Sequence, residues 1–137
     1  MPGEDKSLLE QNKRLVFRFF DEAWNQGRRE VITEIFTRTS VLHSRNRDCH
    51  GPAEFLYFYD IMRAQFSQIS IKPIVSLAEA DLACVHWRLA CIHNTTRTPV
   101  CITGISICRI KDGHFVEAWQ SWDAAGLISQ VPGFAIP

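Results

Sequence analysis

The first half of the chain carries apolar residues at the three- and four-residue spacing of an amphipathic helix. This spacing predicts a helix over residues 4–25 and a short second helix over residues 28–36. A third helix is expected from Gly51-Pro52 to about Gln68, since proline is tolerated in the first turn of a helix. Between them, residues 37–43 are β-prone and residues 44–50 are polar, which predicts a short strand and then a loop.

After the third helix the apolar residues alternate with polar ones, as is typical of strands. The alternation predicts strands over residues 69–77, 82–93, 100–110 and 115–122. Pro73 favours a sheet edge for the first of these, because proline has no N–H to donate to a neighbouring strand. Asp112-Gly113 is a strong hairpin signal. The apolar tail from Gly126 contains two prolines, which disfavour a regular helix, and its position is left open.

Helices first and an antiparallel meander afterwards indicate an α+β fold. A curved, mostly antiparallel sheet wrapped around three helices would bury their apolar stripes and leave an internal pocket at its open end. The chain has 137 residues, so we expect one domain over residues 1–137.

Charge and composition narrow the class of protein. The 15 basic and 15 acidic side chains balance, so the basic excess typical of a nucleic-acid binder is missing. The sequence holds no apolar run of the roughly 18 residues that a membrane helix needs, and its N-terminus is acidic where a signal peptide would be basic. We therefore expect a cytoplasmic protein without a nucleic-acid or membrane partner.

The chain has five cysteines. The residue numbers of directly opposed residues in an antiparallel hairpin add up to a constant. The sum is the same for Cys84 with Cys108 and for Cys91 with Cys101, so these cysteines could face each other across a turn at residues 94–99. Disulfides between them are one interpretation. Free thiols filling a buried sheet are the favoured one, because a reducing compartment keeps thiols reduced.

The clearest candidate for chemistry is Asp123, which lies close to Trp119 and Trp122 and before an uncharged tail. Loss of solvation in such surroundings raises the pKa of a carboxyl group and suits it to general acid/base catalysis. The alternative is that Asp123 caps a short helix over residues 124–128, because aspartate is a preferred N-cap.

Strand alternation does not decide between these two interpretations. An unbulged last strand would place Glu117, Trp119 and Asp123 on one face, with Gln120 and Trp122 on the other. Which face is inward depends on the register across the hairpin, and the sequence leaves this open.

Two histidines and several aromatic residues are further candidates. His43 and His93 end predicted strands, where each could point into the pocket mouth as a proton shuttle or hydrogen-bond donor; the alternative is a partly exposed histidine. Most aromatic residues fit ordinary core spacing, and a subset would line a pocket for a flat apolar ligand. The candidates for this lining are Phe20, Phe58, Tyr59 and Trp87. No spacing of histidines and cysteines is typical of a metal site.

Three stretches carry a family resemblance: the opening NKRLVFRFFDEAWNQGRREVITEIF, HGPAEF followed by MRAQF, and the ending RIKDGHFVEAWQSWDAAGLISQVPG. Together they resemble the SnoaL-like polyketide cyclases of the nuclear transport factor 2-like superfamily. The similarity extends over about residues 10–133, and the ending is its most specific part. It implies a cone-shaped α+β barrel with an interior ligand pocket, often in a homodimer built on the sheet.

The resemblance also implies a chemistry. In the family, an aspartate matching Asp123 promotes an intramolecular aldol ring closure without metal or cofactor. His43 and Trp119 match positions that line the family's pocket, and His93 matches a histidine that precedes a glycine-rich loop. The implied ligand is a small apolar or aromatic carbonyl compound.

Two hypotheses follow for the function. The first is a cofactor-free cyclase, isomerase or lyase in which Asp123 is the acid/base and His43 or His93 binds the enolate oxygen. The second is a non-catalytic ligand-binding or dimerisation module of the same fold. It is motivated by the short connection NTTRTP, which lacks the family's glycines, and by the scarcity of ionisable groups in the strand over residues 100–108.

Overall fold

The computed structural model describes residues 5–44 and 47–137. Helix α1 (Lys6–Arg18) begins after Asp5, whose carboxylate accepts hydrogen bonds from the first-turn backbone amides. It continues as a π-helical segment, Phe19–Asn25, and α2 (Glu30–Ile35) follows, so both predicted helices are confirmed. Within the described residues, no helix has the length and apolar character needed to cross a membrane.

Strand β1 (Phe36–His43) and helix α3 (Gly51–Gln65) also form where the sequence predicts them. Between them, β2 (Asp48–His50) pairs antiparallel with β1, so the prediction of a loop throughout this stretch is wrong at its end. Residues 45 and 46 of the predicted loop lie outside the described residues. Helix α3 ends earlier than predicted because Phe66 already has an extended backbone.

Four long strands complete the sheet: β3 (Phe66–Glu79), β4 (Leu82–His93), β5 (Thr98–Lys111) and β6 (His114–Trp122). The order across the sheet is β2-β1-β6-β5-β4-β3. Strands β1 and β6 are parallel, and the other neighbours are antiparallel. The curved sheet is open, with β3 and its proline at one edge as predicted, and the α+β fold is confirmed.

One face of the sheet packs against the helices. Phe19, Phe36, Phe55 and Phe115 meet there, with ring centroids 5.1 to 5.9 Å apart across the contacting pairs. Each of the four rings is at most 6% exposed. They join the π-helical segment, β1, α3 and β6 into one core, which fixes the helices over the inward face of the sheet.

The register between β4 and β5 separates the cysteines that the sequence analysis placed opposite each other. Cys84 pairs with Ile107 and Cys108 with Ala83, one position away from the predicted register. Adjacent positions point to opposite faces, so the predicted opposition is wrong, and all five cysteines are free. Burial raises the pKa of Cys108 to about 12, which makes this thiol unreactive.

Candidate functional site

A cavity of about 470 Å³ lies between the inward face of the sheet and the helices. This volume is within the range of small-molecule pockets in proteins. Its wall is mainly aromatic and aliphatic. The lining residues are Phe19, Phe20, Trp24, Leu42, Ser44, Arg47, Cys49, Phe55, Tyr57, Phe58, Met62, Phe66, Ile69, Ile71, Trp87, Leu89, Cys91, Ile102, Gln120, Trp122, Leu127, Ile136 and Pro137.

The helical side of the wall is held by hydrogen bonds to the π-helical segment. Tyr59 Oη donates to the carbonyl of Ala23 at 2.6 Å, and Arg63 Nη1 donates to the carbonyl of Trp24 at 2.8 Å. These bonds satisfy carbonyls near a helix end, where intrahelical partners run out. They fix α3 against the segment that contributes Phe20 to the cavity.

Tyr59 itself is not among the residues that line the cavity, and its contact with a ligand stays a prediction. Its side chain is 2% exposed and packs against Trp24 with ring centroids 4.8 Å apart. Its hydroxyl already donates a hydrogen bond to the Ala23 carbonyl. Burial raises the pKa of the Tyr59 hydroxyl. Phe20, Phe58 and Trp87, the other aromatic candidates, do line the cavity.

On the sheet side, two indoles and a glycine form one row across three strands. Gly104 of β5 pairs with Trp87 of β4 and with Trp122 of β6. A Cβ atom at Gly104 would lie 2.3 Å from the Trp87 ring and 2.8 Å from the Trp122 Cβ, so the Trp87 indole occupies the space that a side chain would fill, and the Trp122 Cβ borders it. The edge of the Phe20 ring meets Trp87 at a centroid distance of 6.2 Å. The absence of a side chain at Gly104 therefore leaves room for Trp87 and Trp122, which together form the aromatic floor of the cavity.

A chain of hydrogen bonds runs beside that floor. Trp87 Nε1 donates to Ser106 Oγ at 2.9 Å, and Ser106 Oγ donates to Gln120 Oε1 at 2.6 Å. Ser106 is 1% exposed, whereas Gln120 is half-buried and lines the cavity. The alternation along the last strand predicts Gln120 on the face opposite Trp119 and gives it no role. A glycine and a serine at alternate positions of the otherwise apolar inward face of β5 are the signal in the sequence for this arrangement.

His43 and Trp119 lie on the outer face of the sheet, so the structure corrects their expected position in the cavity. They are register partners on β1 and β6, and their rings stack with centroids 5.5 Å apart. Alternation along β1 turns the neighbouring Leu42 inward and His43 outward. Hydrogen bonds to Glu117 (2.7 Å) and Asp48 (2.9 Å) raise the pKa of His43.

His93 points inward at the end of β4, but it lines a second cavity of about 370 Å³ beside the C-terminal tail. It is 6% exposed, its Nδ1 lies 2.8 Å from Thr96 Oγ1, and its ring packs against Phe66 and Phe134. The structure does not bring His93 and His43 together. In the described part of the chain, no cluster of three or more histidine, cysteine, aspartate or glutamate side chains could hold a metal ion.

Asp123 is exposed and caps helix α4 (Ala124–Gln130), where its carboxylate accepts a hydrogen bond from the Gly126 amide at 2.8 Å. The capping alternative from the sequence is therefore confirmed. Asp123 is not one of the residues around the main cavity. A catalytic role for Asp123 stays a prediction, and this position gives it no support.

The position of the C-terminal tail, which the sequence left open, is fixed by α4. Gln130 forms two hydrogen bonds with the backbone of Cys101, at 2.8 and 2.9 Å, and so attaches α4 to β5. Leu127 of α4 and Ile136 of the tail line the main cavity. The tail therefore covers part of the cavity of its own chain.

A curved mixed sheet packed on helices around an apolar cavity defines the class: an α+β fold with an internal cavity. The sequence matches the model of the SnoaL-like domain over residues 16–118. The chain belongs to this family. No curated protein matches the chain.

Solved structures with the same fold include a candidate SnoaL-like polyketide cyclase from Jannaschia sp. CCS1. It is 20% identical, with a TM-score of 0.84 over 98% of this chain and 100% of that one. IdmH from Streptomyces antibioticus, a candidate polyketide cyclase, is 19% identical, with a TM-score of 0.78 over 88% of this chain and 98% of its own. TsrD from Streptomyces laurentii is 16% identical, with a TM-score of 0.80 over 96% and 99%. At these identities the likeness shows the fold alone.

Proposed function

We propose that this protein binds a small, flat, largely apolar carbonyl compound in its main cavity. The observation that carries the proposal is the cavity itself, about 470 Å³ in volume and walled mainly by aromatic and aliphatic side chains. Pockets of this size and composition bind ligands by burying apolar surface, and a few polar groups set the orientation.

The arrangement of aromatic rings supports a flat ligand. Trp24 and Phe58 line the helical side, while Trp87 and Trp122 line the sheet side. Aromatic rings favour offset-stacked or edge-to-face contacts, which a planar ring system can make with both sides at once. Two of the structural neighbours are described as candidate polyketide cyclases. Polyketides are carbonyl-bearing compounds, so this similarity agrees with a carbonyl ligand.

Binding is a better-supported function than acid/base catalysis. Among the described residues around the cavity, none is an aspartate or a glutamate, and Arg47 is the permanently charged side chain there. Aldol cyclisation or isomerisation needs a base within hydrogen-bond reach of the reacting proton. The enzyme hypothesis therefore depends on Asp123 reaching a ligand from the exposed end of α4. The binding hypothesis does not require this.

A titration with fluorenone, a flat tricyclic ketone, tests the proposal. Trp24, Trp87 and Trp122 line the cavity, so we expect saturable quenching of tryptophan fluorescence. Leu89→Phe should weaken binding, because the larger side chain reduces the space in the cavity. Leu77→Phe makes the same change on the exposed outer face and should leave the affinity unchanged. Equal affinity in both variants would contradict binding in this cavity.

A second candidate function, assembly of a homodimer through the sheet, is favoured by the outer face. Val75 of β3 and Ile105 of β5 both pair with His86 and so share one row of that face. Val75 is 55% exposed, Leu77 in the next row 57%, and Ile105 44%. Adjacent exposed aliphatic side chains are typical of an interaction surface.

Sedimentation analysis tests the dimer. We expect the wild-type chain to sediment as a dimer and the variants Leu77→Lys and Ile105→Lys to sediment as monomers. Ile128→Lys places the same charge on an exposed isoleucine of α4, outside the sheet, and should remain dimeric. A monomeric wild-type protein would refute this candidate.

A further inference from the structure

The hydrogen bonds among Trp87, Ser106 and Gln120 have a fixed direction. An indole N–H can donate but not accept, so Ser106 Oγ must accept from Trp87 Nε1. The single hydroxyl proton of Ser106 is then directed at Gln120, 2.6 Å away. An amide accepts through its oxygen, which places Gln120 Oε1 toward Ser106 and turns Nε2 away from it.

Gln120 Nε2 is consequently available to a ligand. Across residues 5–44 and 47–137, no hydrogen-bond acceptor pairs with this nitrogen, while every fully buried side-chain nitrogen and oxygen there has a partner. Nε2 therefore retains accessible surface, and Gln120 lies on the inward side of β6, where it lines the cavity. The result is an amide donor held on the sheet side of a mainly apolar wall.

We infer that Gln120 recognises the ligand's carbonyl oxygen, and that Ser106 and Trp87 are positioning residues that set the direction of its amide. This inference rests on the proposed function. It narrows the ligand to compounds whose acceptor oxygen lies beside Trp87 when they are bound in the cavity. A ketone oxygen accepts without donating, which complements the two N–H donors that Gln120 Nε2 offers. A donor fixed beforehand binds its acceptor without a further ordering cost.

A pair of probes that differ in the carbonyl group tests this specificity. Fluorenone and fluorene share the same flat ring system, but fluorene has no oxygen. We expect Gln120→Met, which keeps an unbranched side chain of similar length, to weaken fluorenone binding about fivefold to tenfold and to leave fluorene binding unchanged. Gln11→Met makes the same substitution on an exposed position of α1 and should change neither affinity.

The infrared stretching band of the bound ketone reports the hydrogen bond directly. A hydrogen bond to a carbonyl oxygen lowers its stretching frequency, so fluorenone in the wild-type cavity should absorb below its frequency in hydrocarbon solvent. Gln120→Met should return the band toward the hydrocarbon value. Ser106→Ala should broaden it, because the amide loses its fixed direction. Gln120→Glu, which keeps the shape but removes the donors, should act as Gln120→Met does.

The outcomes separate this inference from the proposed function. If fluorenone and fluorene both bind, but Gln120→Met weakens both equally and leaves the carbonyl band unmoved, then Gln120 has a structural role and the inference is refuted. If neither probe binds to the folded wild-type chain, the proposed function fails and the inference fails with it. Thermal unfolding of each variant establishes that a loss of binding is measured on folded protein.

Discussion

The two faces of strand β6 carry similar side chains in different surroundings. On the inward face, Gln120 and Trp122 line the cavity. On the outer face, Glu117 and Trp119 belong to a polar network with His43, and Trp119 is stacked on that imidazole. The comparison shows that alternation along one strand, more than residue type, decides which tryptophan and which polar side chain can meet a ligand.

The outer network consists of partly solvated ion pairs. Arg109 Nη1 donates to Glu117 at 3.0 Å, its Nε lies 3.2 Å from an Asp81 carboxylate oxygen, and its guanidinium lies 5.5 Å from the Trp119 ring centroid. Ion pairs exposed to this degree contribute little stability each, because water screens them. The network joins β1, β5 and β6 on the outside, whereas the inner face keeps an apolar cavity.

The largest effect is expected at the cavity floor. In Gly104→Ala, the new Cβ cannot coexist with the present Trp87 ring position, so the indole must move. We expect a destabilisation of about 1–3 kcal/mol, typical of overpacking, together with loss of fluorenone binding. Ala90→Val enlarges an exposed position of β4 and serves as the control. Unchanged stability and affinity in Gly104→Ala would show that the floor is not rigid.

The next largest effect is expected when Trp122 of the inward face, rather than Trp119 of the outer face, is replaced. Trp122→Ala removes cavity wall, so we expect the fluorenone affinity to fall about tenfold or more through lost apolar contact. Trp119→Ala alters the outer face and should change that affinity by less than about twofold. Calorimetric titration measures both values. A larger loss in Trp119→Ala would reverse the assignment of the two faces.

The pH dependence of stability sharpens the outer side of the comparison. Hydrogen bonds to Glu117 and Asp48 raise the folded-state pKa of His43 above the ordinary histidine value of about 6.5. The stabilisation is therefore complete below about pH 6.5 and is lost as the pH rises through the raised pKa. The difference in unfolding free energy between wild type and His43→Gln should be larger near pH 6 than near pH 9 in urea titrations.

His114→Gln is the control for this series, because His114 lies at the β5–β6 hairpin, away from that pair of carboxylates. It gives the baseline for replacing a histidine outside the network, and the pH dependence of His43→Gln is judged relative to it. A pH-independent difference for His43→Gln would mean that the two carboxylates do not raise the pKa of His43 in the folded protein.

The smallest effect is expected at Asp123. Asparagine caps helices as well as aspartate does, so Asp123→Asn should leave stability and fluorenone affinity unchanged within a few tenths of a kcal/mol. Asp123→Ala removes the cap and should cost about 1 kcal/mol in thermal or urea unfolding. A carbonyl substrate turned over by wild type and not by Asp123→Asn would instead support the enzyme hypothesis.

The sequence predicted the α+β fold because its long elements have a clear spacing and because Asp112-Gly113 forms the expected two-residue hairpin, with φ values of 51° and 75°. Strand β2 was missed because three residues are too few for alternation to be visible. The predicted pairing of β4 with β5 differs from the observed one by one position. This pairing depends on the turn before Thr98, where Arg97 adopts φ +59°, and the sequence does not predict that turn.

The site was harder to predict than the fold because it depends on the register between strands, which the local sequence pattern does not show. The inward face of β6 depends on pairing with β5, which shifts between Arg109 and Ile110. A shift of one position exchanges Trp119 with a cavity residue, and no local pattern encodes it. Phe20, Phe58 and Trp87 could be predicted as wall residues because apolar spacing alone places them inward.

Methyl NMR with fluorene bound would show whether the ligand lies in the cavity between the sheet and the helices. Isoleucines lie on both faces of the sheet, so their δ1 methyl groups report the position of the ligand. We expect nuclear Overhauser effects from fluorene to Met62, Ile71 and Ile102, which line the cavity. Effects to Ile105, which is exposed on the outer face, would instead place the ligand outside the cavity and contradict this binding site.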